Sequence, residues 1–350
     1  MKLTSSSIAA GLALLATAGM AQQAPVAGPY HILKTARVGG EGRFDYVYAD
    51  SDGRRLYVAR TGPTPRMTVY NLDTLDPAGE IPNTDARGAA TDTQSHHGFA
   101  SSGPLAMWDT KTMALVKTIP VEGNPDGILG DAFNHRIYVF SHSAPNVTVV
   151  DATDGSIVGT IDLGGAPEQA ASDGKGRIFV DIEDKGSVAV VDAKTMKVTG
   201  QYSLNGKGGD AGLALDAKNH VLFVACRDPQ VMVMLDANTG KYLADLPISQ
   251  GCDGATFNPQ TLECFSSQRD GTLTVIKETP GVGAISPTFV VEQTVKTMPS
   301  AKTLTLDAKT GKVFLIAAEY GPAATPPVPG GRGGRAPMVP GSFTILEVGR

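Results

Sequence analysis

Residues 221–241 read Val-Leu-Phe-Val-Ala-Cys-Arg-Asp-Pro-Gln-Val-Met-Val-Met-Leu-Asp-Ala-Asn-Thr-Gly-Lys, and this stretch decides the fold. Val221 to Cys226 is a short apolar run centred on Phe223. Val231 to Leu235 is a second run, closed by Asp236, and Ala237-Asn238-Thr239-Gly240 supplies turn residues. Two such runs of five or six residues, bounded by Asp, Asn, Gly and Pro, describe a pair of β-strands. A third run, Lys241 to Ile248, follows the turn. A fourth precedes Val221 across the turn Asp216-Ala217-Lys218-Asn219.

The unit repeats along the chain. Tyr57, Phe99, Tyr138, Phe179, Phe223, Phe265 and Phe314 each sit in a short apolar run, at successive spacings of 42, 39, 41, 44, 42 and 49 residues. A second run ending in an acid follows, as in Val147–Asp151, Val188–Asp192 and Val231–Asp236. Four strands in a period of about 42 residues make one blade of a β-propeller. No stretch beyond the N-terminal segment has an apolar stripe at helical spacing. A β-sandwich would need no fixed period. The expected fold is therefore all-β: a seven-bladed propeller of four-stranded blades. Unit seven has its second strand at Val313–Glu319 and its third at Phe343–Val348, with no run beyond to complete it. Residues 31–38, His-Ile-Leu-Lys-Thr-Ala-Arg-Val, are expected to supply the missing outer strand and close the ring. Unit two, with Ser95-His96-His97-Gly98-Phe99, and unit seven, with a Pro/Gly-rich insertion at 321–341, depart from the pattern.

Residues 1–21 read as a cleavable signal peptide. Lys2 gives a positive start, Ile8 to Ala18 is apolar, and Gly19-Met20-Ala21 puts small residues before a cut at Gln22. The expected location is periplasmic or secreted, with residues 22–350 forming one domain. Without Lys2, 29 basic side chains face 35 acidic ones. That balance, with no basic cluster, argues against a duplex nucleic-acid binder. The apolar core of residues 1–21 is too short to span a bilayer, and no later segment qualifies.

The LYVAR (56–60), IYVFS (137–141), IFVDI (178–182) and LFVAC (222–226) runs, with the D-x-x-T-G-K turns at Asp236–Lys241 and Asp307–Lys312, resemble the YVTN-type β-propeller repeat family, the YncE-like proteins of bacterial envelopes. The resemblance covers residues 30–350. It implies a propeller and says little about activity, because one fold carries many functions.

Counting back 11 to 13 residues from each aromatic reaches the start of the innermost strand. Those positions hold Asp45, Arg87, Asp126, Glu168, Asp210, Asp253 and Lys302: all seven charged, in a chain with 19% charged residues. They are expected to ring one mouth of the central channel. Strand starts at a wet channel mouth tolerate charge, so the ring has a structural reading as an ion-pair network. It also has a functional one. The carboxylates Asp45, Asp126, Glu168, Asp210 and Asp253 are candidate oxygen ligands for a divalent cation such as calcium, or partners for a polar or cationic ligand, with Arg87 and Lys302 partly balancing them. His142 should reach the same face, where a surface histidine is the plain reading.

Two function classes follow. One is a non-catalytic, monomeric binding protein for a small molecule, a cation or an envelope protein. The other is a metal-dependent hydrolase or lyase of the lactonase type, for which the chain offers carboxylates but no recognisable nucleophile or general base. An exported chain favours oxidised thiols. Cys252 and Cys264 fall out of register on one hairpin, whereas Cys226 and Cys252 reach the same end of neighbouring blades. The expected disulfide is Cys226–Cys252, with Cys264 unpaired.

Overall fold

A computed structural model describes residues 28–144, 146–283, 285–322 and 336–350. The expected signal peptide and most of the 321–341 insertion lie outside them. The described chain forms seven four-stranded antiparallel sheets. The innermost strands are Arg43–Asp50, Ala89–Asp92, Pro125–Asp131, Pro167–Ser172, Gly208–Asp216, Cys252–Asn258 and Lys302–Leu306. Each contacts the next, and the seventh contacts the first, so they enclose a channel. Among the described residues no helix is long and apolar enough to cross a membrane.

Blade seven takes its outermost strand from the other end of the chain. His31–Arg37 pairs antiparallel with Thr344–Gly349, from His31 opposite Gly349 to Arg37 opposite Thr344. This is the closure expected from the sequence. Tyr30 extends it, its backbone and Gln293 exchanging hydrogen bonds of 2.8 and 2.7 Å with blade six.

The blades adhere because strand residues alternate between two apolar faces. In blade four, Ile178, Val180 and Ile182 pack with Tyr138 and Val149 of blade three, while Phe179, Val188 and Val190 pack with Leu213 and Val224 of blade five. All seven repeat aromatics are buried. Loss of one such ring to alanine costs about 3–5 kcal/mol. The D-x-x-T-G turns have an equally local cause. Asp236 Oδ1 accepts from Asn238 N at 2.9 Å and Thr239 N at 2.8 Å, and Gly240, at φ 72°, returns its N–H to Asp236 O at 2.8 Å. The irregular unit two has a packing reason. A Cβ on Gly98 would lie 2.2 Å from the Trp108 ring, so only glycine leaves room for that indole.

The same alternation corrects the expected disulfide. Cys226, Cys252 and Cys264 are all free, buried thiols. On the second strand of blade five, Val221, Phe223 and Ala225 face blade six, where Cys252 packs. Leu222, Val224 and Cys226 face blade four. Cys226 and Cys252 share one end of the propeller, but their side chains belong to different inter-blade layers. Burial pushes all three thiols up, that of Cys252 to about 12.

Candidate functional site

The seven charged residues do stand at the starts of the innermost strands, or two residues before in the case of Arg87. The antiparallel return of each second strand brings further side chains to the same end: His142 in blade three, Glu183 in blade four, Arg227 in blade five and Arg269 in blade six. The mouth is built from both sets, and it divides into two arcs.

The first arc runs from Glu183 of blade four over blades five, six, seven, one and two and is fully paired. Asp253 Oδ1 accepts from Arg227 at 2.6 Å and Arg269 at 2.8 Å, and its Oδ2 lies 2.9 Å from Lys302 Nζ. Lys302 also reaches Asp45 Oδ1 at 3.1 Å, and Asp45 Oδ2 meets Arg87 at 3.2 Å. Arg227 completes the chain with Glu183 at 2.7 Å. Four cations therefore face three carboxylates. Burial alone would raise the Asp253 carboxyl, but Lys302 and Arg269 hold it below its ordinary value. Burial works against the Lys302 ammonium too, and Asp253 and Asp45 overcome it and raise its pKa.

The second arc, over blades three to five, is acidic and unfinished. His142 Nε2 lies 3.0 Å from Glu168 Oε2 and 3.5 Å from Asp126 Oδ2. Asp126 Oδ1 is buried with no hydrogen-bond partner. Burial, then Asp45 and Glu168, pushes the Asp126 carboxyl up to about 6. The hydrogen bond to Glu168 raises His142 to about 9. Asp210 does not face the mouth as expected. It is wholly buried beside Asp181 of blade four, both its oxygens are without partners, and burial raises it to about 6. Asp181 is held by one bond, from Gln169 N at 2.5 Å, and its Oδ2 is unpartnered. Burial and Asp210 drive the Asp181 carboxyl well above the carboxylate range.

The channel floor lies just below. The residues after the seven charged ones are Tyr46, Gly88, Gly127, Gln169, Ala211, Gly254 and Thr303. Five are small, which leaves the middle to Tyr46 and Gln169. The Tyr46 hydroxyl crosses from blade one to Glu168 O in blade four at 3.1 Å. Gln169 Oε1 accepts from Leu213 N at 3.0 Å and Ala255 N at 3.1 Å, and its amide donates to Ala255 O at 3.0 Å. The cavity around this plug is about 150 Å³. Small-molecule pockets usually span about 300–1,000 Å³. The channel interior therefore has room for an ion or a few waters, and anything larger must sit on the mouth.

At the rim, Tyr320 begins the 321–341 insertion and is bridged to Met338. Burial raises its phenol, and Lys302, Arg43, Arg269 and Arg60 oppose the rise. The stem thus rises beside the cationic arc.

No family model and no curated protein matches the chain. Among solved structures, a propeller chain in the crystal structure of a mitotic checkpoint complex superposes with a TM-score of 0.68. The two chains are 11% identical over 87% of this chain and 95% of that one. The likeness is one of fold.

Proposed function

We propose that the protein is a non-catalytic binding module that takes a metal ion or a ligand's cationic group at the acidic arc of its channel mouth. One observation carries the reading: among the described residues Asp126 and Glu168 have only His142 to balance them at the mouth, while every carboxylate of the other arc has a basic partner. Unpaired acids in a concave, low-dielectric setting attract positive charge. The propeller fold suits a binding role, and the small cavity favours an ion or a group docking from outside. The three-part N-terminal sequence and the YVTN-like runs support an exported, envelope-type protein whose partner is a small ligand or another protein.

A lactonase-type, metal-dependent hydrolase is the second reading, favoured by the imidazole that joins the two carboxylates. The test compares the natural chain with the double variant Asp126→Asn, Glu168→Gln by calorimetric titration with divalent ions and with spermidine. Binding by the first and not the second supports the module. Lactone or ester hydrolysis that a chelator abolishes would replace it with the enzyme.

A further inference from the structure

We infer that Asp126, His142 and Glu168 form a three-ligand site for a divalent transition ion of the zinc type, with its fourth position open to the mouth. This deepens the binding-module reading and rests on it.

The geometry comes from three separate pieces of chain. Asp126 begins the inner strand of blade three, His142 follows the second strand of the same blade, and Glu168 begins the inner strand of blade four. Their ligand atoms all lie within 4.8 Å of one another. A tetrahedral zinc ion with bonds of about 2.0–2.1 Å sets its ligand atoms roughly 3.4 Å apart. The observed separations from His142 Nε2, 3.0 and 3.5 Å, bracket that spacing. The strands are fixed at this distance by their backbones. Glu168 O is held by Tyr46, Asp126 O by Ser101, and Gly127 lacks a Cβ that would lie 2.7 Å from Glu168 O.

The hydrogen bonds alone leave the cluster short. Nε2 carries at most one hydrogen. It can serve Glu168 at 3.0 Å, which leaves Asp126 at 3.5 Å with its other oxygen buried and unpartnered. A second, independent shortage lies behind Glu168. Asp181 is wholly buried, its Oδ1 held by the Gln169 amide and its Oδ2 unpartnered. A divalent ion in place of the Nε2 proton engages both carboxylates at once. One nitrogen and two carboxylates suit zinc and its neighbours, whereas calcium takes six to eight oxygens. Of the five candidate carboxylates the proposed site takes Asp126 and Glu168 and adds His142. His142 is 40% exposed, which leaves a path for the ion from solvent.

The experiment strips the full chain with chelator and titrates zinc chloride and, separately, calcium chloride by calorimetry. Cobalt is a spectroscopic stand-in, since tetrahedral coordination gives it an intense visible band. The expected result is one zinc per chain, a tetrahedral cobalt spectrum, and a loss of affinity of at least about tenfold in His142→Ala measured where the metal-free variant is still folded. Zinc affinity equal to the natural chain in both His142→Ala and Glu168→Gln overturns the site, because the ion is then bound elsewhere. Calcium or spermidine binding without zinc binding overturns the site but leaves the binding module standing. Absence of binding by any of the three overturns both.

Discussion

The two arcs of the mouth occupy the same register positions of the same repeat and differ in what the neighbouring blade returns to them. In blades five and six the second strands end in Arg227 and Arg269, which close on Asp253. In blades three and four they end in His142 and Glu183, so Asp126 and Glu168 share one imidazole and Asp210 has no cation among the described residues. A repeat fixes where charges stand, and the residue four after each aromatic decides whether they are neutralised. Paired charges of this kind hold neighbouring blades together. Unpaired ones cost stability, and those on a concave mouth draw positive charge from outside.

Removing one member of the paired arc should have the largest effect. Asp253 is 6% exposed and binds three cations. Asp253→Asn leaves Arg227, Arg269 and Lys302 facing one another, and should lower unfolding stability by about 3 kcal/mol, the scale for breaking a buried pair. Urea denaturation followed by tryptophan fluorescence reads this directly, since Trp108 is fully buried. A variant as stable as the natural chain would erase the distinction between the arcs.

The reverse sign is expected on the acidic side. Asp210→Asn removes a carboxyl whose two oxygens find no donor, and relieves its repulsion of Asp181. The variant should be more stable at pH 7 by about 1 kcal/mol. The gain should depend on pH. The folded carboxyl titrates near 6, above its unfolded value, so the natural chain loses stability as pH rises through about 6. The gain therefore shrinks toward pH 4, close to the unfolded value, where the folded carboxyl is neutral. Thermal melts at pH 4, 6 and 8 test it, and a constant difference across the three would show that the carboxyl is not titrating there.

The sequence carried the blade period plainly, because each blade must bury one aromatic at one place and so repeats it. It carried the ring for the same reason: Asp45 through Lys302 start strands that the aromatics locate. The same count run forward four residues from Tyr138, Phe179, Phe223 and Phe265 reaches His142, Glu183, Arg227 and Arg269, so the division into arcs was legible in principle. The Tyr46 and Gln169 plug was less so. It depends on side chains crossing the channel between blades 122 residues apart in sequence for Tyr46, and no local pattern encodes that reach. The cysteine error was one of parity. Phe223 faces blade six, and Cys226, an odd number of positions later, cannot share that face.

A third buried acid, away from the mouth, tests whether the cost of an unpaired carboxyl is general. Glu278 lies in the third strand of blade six and is 1% exposed, with both oxygens lacking hydrogen-bond partners among the described residues. Burial, followed by the nearby Asp216, raises it to about 8. Asp216 accepts from Lys218 N at 2.9 Å and Asn219 Nδ2 at 2.7 Å, and as an anion it repels an ionised Glu278 rather than neutralising it. Folded Glu278 thus keeps its proton at neutral pH, while the unfolded chain loses it near 4.5. The folded state holds the extra proton between those values, and its stability falls as pH rises from about 4.5 through about 8. Glu278→Gln retains the shape of the protonated acid and cannot ionise. It should leave melting at pH 5 nearly unchanged and raise it by a few degrees at pH 9. It should also leave zinc titration unaltered, because the residue stands outside the mouth. Parallel melting curves at pH 5 and pH 9 would mean that Glu278 is neutralised by a partner, and that an unpaired buried acid in this fold is peculiar to the mouth.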